Sequence, residues 1–181
     1  MKKDCCQPQS TKIKTGFHLD PFVIWIGVIT LAILGGVIYF GSKMGATPKV
    51  VTSQNIELAV DSKNHDWGVI DYDNGIVSQN FAIKNTGSNT LELYDVLTSC
   101  MCTTAQLTTP GQTSRKFDMH EKSSPVFSVP PGETAQLKVE FDPAFHGPSG
   151  LGSITRTVNM KTNDASNPQL TFTLTGQVVK K

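Results

Sequence analysis

Phe81-Ala82-Ile83-Lys84-Asn85-Thr86-Gly87-Ser88-Asn89-Thr90-Leu91-Glu92-Leu93 carries the pattern that decides the fold. Phe81 and Ile83 alternate with polar neighbours, residues 85–89 are turn formers, and Leu91 and Leu93 resume the alternation before a change of phase at Val96. Period-two alternation marks a strand buried on one face, and Asn and Gly tolerate the positive φ of a tight turn. The stretch therefore reads as a hairpin that delivers the chain to Cys100. The same rhythm recurs at 56–60, at 67–70, and at Thr134–Phe141 with Ala135, Leu137, Val139 and Phe141 on one face. It returns at 154–160 and at 169–179. Asp73-Asn74-Gly75, Pro130-Pro131-Gly132-Glu133 and Thr162-Asn163-Asp164 punctuate these runs. No segment after residue 41 repeats at 3.6 residues. Seven or so short strands at this spacing predict an all-β domain, an immunoglobulin-like antiparallel β-sandwich.

Two stretches break the rhythm. Residues 107–127 are polar and include Pro110-Gly111, Arg115-Lys116, Met119-His120 and Ser123-Ser124-Pro125; residues 142–152 include His146-Gly147-Pro148-Ser149-Gly150. Loops of this length inside a compact domain are uncommon and are often functional.

The N-terminal part is different in kind. Residues 21–40, PFVIWIGVITLAILGGVIYF, carry no charge, and as a helix they span about 30 Å, the thickness of a bilayer's hydrocarbon core. Trp25 and Tyr39 suit the two interfaces. Lys2, Lys3, Lys12 and Lys14 precede the run, whereas only Lys43 and Lys49 closely follow it, which places the N-terminus in the cytoplasm and the domain outside. A cleaved signal peptide is the rival reading. The run is longer than the usual apolar region, of roughly 7–15 residues, and Met44-Gly45-Ala46 is a poor cleavage site, so a retained anchor is favoured. The expected organisation is a cytoplasmic tail at 1–20, a transmembrane helix at 21–40, a linker at 41–55 and the sandwich at 56–181.

Charge excludes some functions. The chain has 181 residues and a formal net charge of +1. Residues 1–43 hold five lysines against two aspartates, and residues 47–181 hold eleven basic against thirteen acidic side chains. A near-neutral domain with no basic stripe argues against nucleic-acid binding. G-x-S-x-G, H-E-x-x-H and P-loop patterns are absent, and no paired carboxylates stand out at a strand end, so no enzyme activity is expected.

The four cysteines are paired in sequence. Cys5 and Cys6 read as reduced thiols of the tail, with lipidation or metal binding as alternatives. Cys100 and Cys102 lie in Ser99-Cys100-Met101-Cys102-Thr103-Thr104. Extended residues two apart are separated by roughly 6.6 Å, so this C-x-C closes into a disulfide only across a sharp bend, whereas a soft metal ion draws both thiolates to one centre. His120 and His146 occupy the two irregular stretches and Met119 adjoins one of them; His65, beside Asp66, reads as surface. Cys100, Cys102, Met119, His120 and His146 thus form a candidate metal set, soft to borderline, suited to copper first and to zinc second. A thiol–disulfide role is the weaker alternative, because C-x-C lacks the helix N-terminus that activates C-x-x-C thiols.

Trp67-Gly68, Phe81-x-Ile83-x-Asn85-x-Gly87, Ser99-Cys100-x-Cys102-Thr103-Thr104, Pro131-Gly132-Glu133, Phe141-Asp142 and Thr162-Asn163-Asp164 occur in that order. In this the chain resembles a bacterial immunoglobulin-like domain family (DUF1573), related to the Hydin-type domains, over residues 60–179. The resemblance implies the fold and a secreted or membrane-anchored setting, without a reaction. The chain departs from the family at Met101, where Gly is common, and in the length of the stretch carrying Met119-His120. The expectation is a membrane-anchored extracytoplasmic binding protein for copper or zinc. The alternative is an envelope module for protein interaction, with envelope proteins as partners and no metal.

Overall fold

The computed structural model describes residues 20–44, 50, 52, 55–120 and 125–181. Two compact units separate, Met1–Ala46 and Thr47–Lys181. In the first, helix α1 covers Pro21–Met44. Its segment Pro21–Tyr39, 19 residues with none buried, is long and apolar enough to cross a membrane, a test that an N-terminal signal sequence also passes. The tail with Cys5 and Cys6, and the residues after Met44 that bear on cleavage and much of the linker, lie outside the described residues.

The second unit is a two-layer sandwich. Its strands are β1 (Leu58–Val60), β2 (Asn64–Asp71), β3 (Val77–Asn85), β4 (Leu91–Thr98), β5 (Thr103–Thr109), β6 (Gln112–Thr113), β7 (Phe127–Val129), β8 (Thr134–Phe141), β9 (Gly152–Thr162) and β10 (Gln169–Val179). One sheet has the order β1-β3-β8-β5-β6, the other β2-β10-β9-β4-β7. The alternating apolar positions face inward: Phe81, Ile83, Leu91, Leu93, Leu107, Leu137, Val139, Val158, Phe172 and Leu174 all belong to one buried cluster. The expected all-β sandwich is present. One pair departs from antiparallel order, because β10 runs parallel to β2. These two strands are joined only through the rest of the domain, so no tight turn dictates their direction.

The stretch expected to form a hairpin does something else. β3 and β4 lie in different sheets, so residues 86–90 carry the chain across the sandwich instead of back along one sheet. Phe81 and Ile83 on one layer and Leu91 and Leu93 on the other face the same core from opposite sides. The turn residues fasten the crossing. The Asn85 side-chain amide donates to the carbonyls of Asn89 at 2.9 Å and Val129 at 2.8 Å, and its oxygen accepts from the Gly87 N–H at 3.1 Å. A Cβ at Gly87 would stand 2.6 Å from the Glu57 nitrogen, so the close approach of the 55–57 backbone requires glycine. Asn85→Ala strands a buried carbonyl, and urea unfolding is expected to show a loss of about 2 kcal/mol or more.

The phase change before Val96 is a β-bulge. Asp95 has φ of 52°, and the β4–β9 register shifts between Tyr94 and Leu97. The inserted residue turns Val96 inward and leaves Asp95 outside, 3.0 Å from Lys161.

Of residues 107–127, 121–124 lie outside the described residues, and the rest are less irregular than their polarity suggests. β5 continues through Thr109, turns at Pro110-Gly111 into β6, and Phe117 then pairs with Ala105 by two backbone bonds. Phe117 is fully buried, with its ring edge-on to Phe127 at 6.0 Å. On the outer face Glu140 accepts from Lys116 and lies 2.7 Å from Lys138. The Lys116 hydrogen bond, then that of Lys138, holds the Glu140 carboxyl below the ordinary carboxylate range. A folded-state value lowered below the unfolded one gives stability that is present above the ordinary range and lost as pH falls through the folded value. Glu140→Gln is therefore expected to flatten the acid limb of a stability–pH curve below about pH 4.3, leaving the neutral region within about 1 kcal/mol.

Candidate metal centre

Two neighbouring crossings between the sheets build the site. The β4–β5 crossing holds Cys100-Met101-Cys102, and the β8–β9 crossing holds His146. They lie side by side because β4 pairs with β9 and β5 with β8, with Thr103 opposite Phe141. The Asp142 N–H donates to the Cys102 carbonyl at 2.9 Å, which starts the second crossing against the first.

The cysteine segment is a turn, not extended strand. Thr103 N–H donates to the Cys100 carbonyl at 3.1 Å, and the buried Thr98 hydroxyl lies 3.0 Å from the Cys100 carbonyl and 2.9 Å from that of Thr103. Ser99 exchanges backbone and side-chain hydrogen bonds with Thr157 of β9. This turn supplies the sharp bend: the two Cα atoms are 5.3 Å apart, and Cys100 and Cys102 are joined as a disulfide. Closure thus comes with the bend that so short a spacing requires, and the oxidised pair stands where two free thiolates were expected to meet a metal.

In the other crossing the Asp142 carboxylate accepts from Ala144 N–H at 2.9 Å, Gly147 N–H donates to Ala144 carbonyl at 2.9 Å, and a short 3-10 turn covers Gly147–Gly150. The Ser149 hydroxyl donates to the His146 carbonyl at 2.7 Å, and the Phe145 ring stands edge-on to the imidazole. His146 Nε2 consequently comes 3.2 Å from Cys100 Sγ. One donor atom each from Cys100, Cys102 and His146 lies within 4.8 Å of the others.

The other two expected ligands are placed differently. His120 is not part of that group; it is exposed, and its backbone N–H donates to the Asp118 carboxylate at 2.7 Å. The Met119 side chain is also exposed. The backbone of this segment does approach the cysteine turn, since Thr98 N–H reaches the Asp118 carbonyl at 3.4 Å. His65 packs its ring edge-on against Trp67 at 5.8 Å.

Arg156 is the site residue that sequence reasoning missed. On β9, residues 154, 158, 160 and 162 are buried, so Arg156 occupies a core-phase position. A cation at that phase in an otherwise apolar row was the available signal. Its Nε donates to Cys102 Sγ at 3.1 Å and its guanidinium lies over the Phe141 ring, 5.5 Å from the centroid. Phe141 in turn stacks on Trp67 at 5.7 Å. Burial pushes the Arg156 value below that of a free guanidinium, yet arginine keeps its proton in proteins. Cys102 is buried within a small second core with Ile70, Phe141, Ile154 and Val178, while Cys100 is only partly covered.

Comparison with known proteins bears on the fold. Residues 58–116 match the profile of the family described as Protein of unknown function (DUF1573), a segment that includes Cys100 and Cys102 and ends before His146. A protein of unknown function from Porphyromonas gingivalis W83 superposes with a TM-score of 0.53 at 21% identity, covering 72% of this chain and 50% of that one. This chain thus spans about half the length of that protein. The ASH/PapD-like domain of human CEP192 (PapD-like domain 7) superposes with a TM-score of 0.44 at 12% identity, covering 76% of this chain and 92% of that domain. No curated protein matches the sequence.

Proposed function

We propose that this chain is a membrane-anchored binding protein whose β-sandwich, outside the cytoplasm, takes one copper(I) ion at Cys100, Cys102 and His146 when the disulfide is reduced. The convergence of these three donor atoms within 4.8 Å carries the reading. Thiolates select soft ions, and imidazole suits copper and zinc alike. Structural zinc sites are almost always four-coordinate, and only three such donors converge among the described residues.

Charge favours copper(I) further. Two thiolates, a neutral imidazole and a monovalent cation make a singly negative centre, which the Arg156 guanidinium beside Cys102 neutralises. A divalent ion in the same cage leaves the guanidinium uncompensated in a half-buried setting, and unpaired buried charge is costly. The extracytoplasmic placement rests on the lysines before the apolar helix and on the disulfide, which persists in oxidising compartments. No catalytic role is assigned.

The test is metal content. Tag-free full chain in detergent, reduced and offered copper(I) and zinc together, is expected to retain one copper per chain. Retention of zinc alone removes the charge argument. Retention of neither, with the fold intact, favours an interaction module of the envelope without metal.

A further inference from the structure

We propose that the Cys100–Cys102 disulfide is polarised for thiol–disulfide exchange, with Cys100 as the sulfur attacked by an external thiol and Cys102 as the leaving sulfur. Two independent features of the site point the same way. Access is unequal: Cys102 is 3% exposed and lies in the second core, whereas Cys100 is partly exposed on the turn. Electrostatics are unequal too: the Arg156 guanidinium donates to Cys102 Sγ at 3.1 Å, whereas the groups that meet Cys100 Sγ are the His146 imidazole at 3.2 Å and the Cys102 N–H at 3.3 Å, neither of them a permanent cation. Exchange rates depend on which sulfur can be reached and on how well the departing sulfur carries negative charge. Both criteria select one direction of cleavage.

The step balances without a metal. An external thiolate RS⁻ attacks Cys100 Sγ, the S–S bond breaks, and its electron pair leaves on Cys102 Sγ as a thiolate paired with Arg156. A mixed disulfide R–S–S–Cys100 remains. A second external thiolate attacks the R sulfur, releases Cys100 as a thiolate and forms R–S–S–R. Two thiols of the partner are oxidised and the protein gains the two electrons. The partner is therefore a thiol or dithiol reductant. The exchange does not depend on metal binding, and it yields the reduced pair that metal binding requires. Cys102 N–H already donates to Cys100 Sγ at 3.3 Å, so the same turn supports the second thiolate once it forms.

The experiment uses the oxidised full chain in detergent with a chelator present, so that the outcome is independent of any metal. A brief exposure to glutathione is stopped with acid, free thiols are alkylated, and tandem mass spectrometry locates the adducts. The expected result is glutathione on Cys100 and the alkyl group on Cys102, in at least about tenfold excess over the reverse. Glutathione on Cys102, an even split, or no opening at all overturns the proposal. Arg156→Gln is expected to slow opening about tenfold, with Arg156→Lys recovering part of the rate, since both keep the strand but only one keeps the charge. Unchanged opening in Arg156→Gln, with the thermal transition unchanged, overturns the role given to Arg156.

Discussion

Replacing Cys100 and Cys102 together by serine is expected to abolish copper retention by the reduced protein while the sandwich stays folded. The two sulfurs are the soft donors of the set, and serine offers a neutral hydroxyl that a soft monovalent ion binds poorly. The fold is expected to survive because so small a covalent loop constrains the unfolded chain little: loop-closure entropy for three residues is worth about 1.5 kcal/mol. That is small beside the roughly 5–15 kcal/mol by which domains are usually stable. His146→Ala removes the remaining donor and is expected to weaken copper binding by more than the roughly 10–100-fold typical of changes one layer further out. His120→Ala is expected to leave affinity unchanged, since His120 lies outside the converging group. Equilibrium competition with a copper(I) chelator, alongside circular dichroism, reads both affinity and fold. A loss of affinity in His120→Ala equal to that in His146→Ala would mean that the segment carrying Met119 and His120 rearranges on binding.

Phe117→Ala is expected to cost about 3–5 kcal/mol in urea unfolding, the range for deleting a fully buried aromatic ring. The ring is fully buried and edge-on to Phe127 of β7, and the residue's backbone pairs in both directions with Ala105 of β5. The loss reaches the site as well as the core. Asp118, the next residue, receives the Thr98 N–H, and the Thr98 hydroxyl sits against the Cys100 and Thr103 carbonyls that shape the cysteine turn. A change under about 1 kcal/mol would contradict the assignment of Phe117 to the core.

How much of this was legible depended on whether neighbours in sequence or in space decided the outcome. Thr134–Phe141 announced its strand because one face alternates without interruption, and the bulge at Asp95 announced itself as a phase slip between Leu93 and Val96. The destination of a strand was not legible. Residues 85–89 look the same whether a chain turns back within one sheet or crosses to the other, and the Asn85–Val129 bond that distinguishes the two spans 44 residues. Residues 107–127 were read as a loop because threonines and glutamines mask β5, whose inward positions Ala105 and Leu107 are few, and because Phe117 stands alone in a polar run.

The candidate site divided along the same line. Cys100, Cys102 and His146 were found by residue type and by their place in irregular stretches, and the pairing of β4 with β9 and of β5 with β8 brings them together. Met119 and His120 carried the same chemical signal, but their side chains are exposed outside the converging group. Arg156 carried a positional signal in place of a chemical one. Its meaning depends on the 3.1 Å approach to Cys102, which residue spacing does not encode.

The central claim is that reduced Cys100, Cys102 and His146 bind one copper(I) ion. X-ray absorption at the copper edge tests it most directly, on the reduced full chain carrying one equivalent, beside His146→Ala. The account predicts two sulfur neighbours and one imidazole nitrogen, with the nitrogen lost in the variant. A chain that retains no copper, or a coordination shell that is identical in His146→Ala, would contradict it.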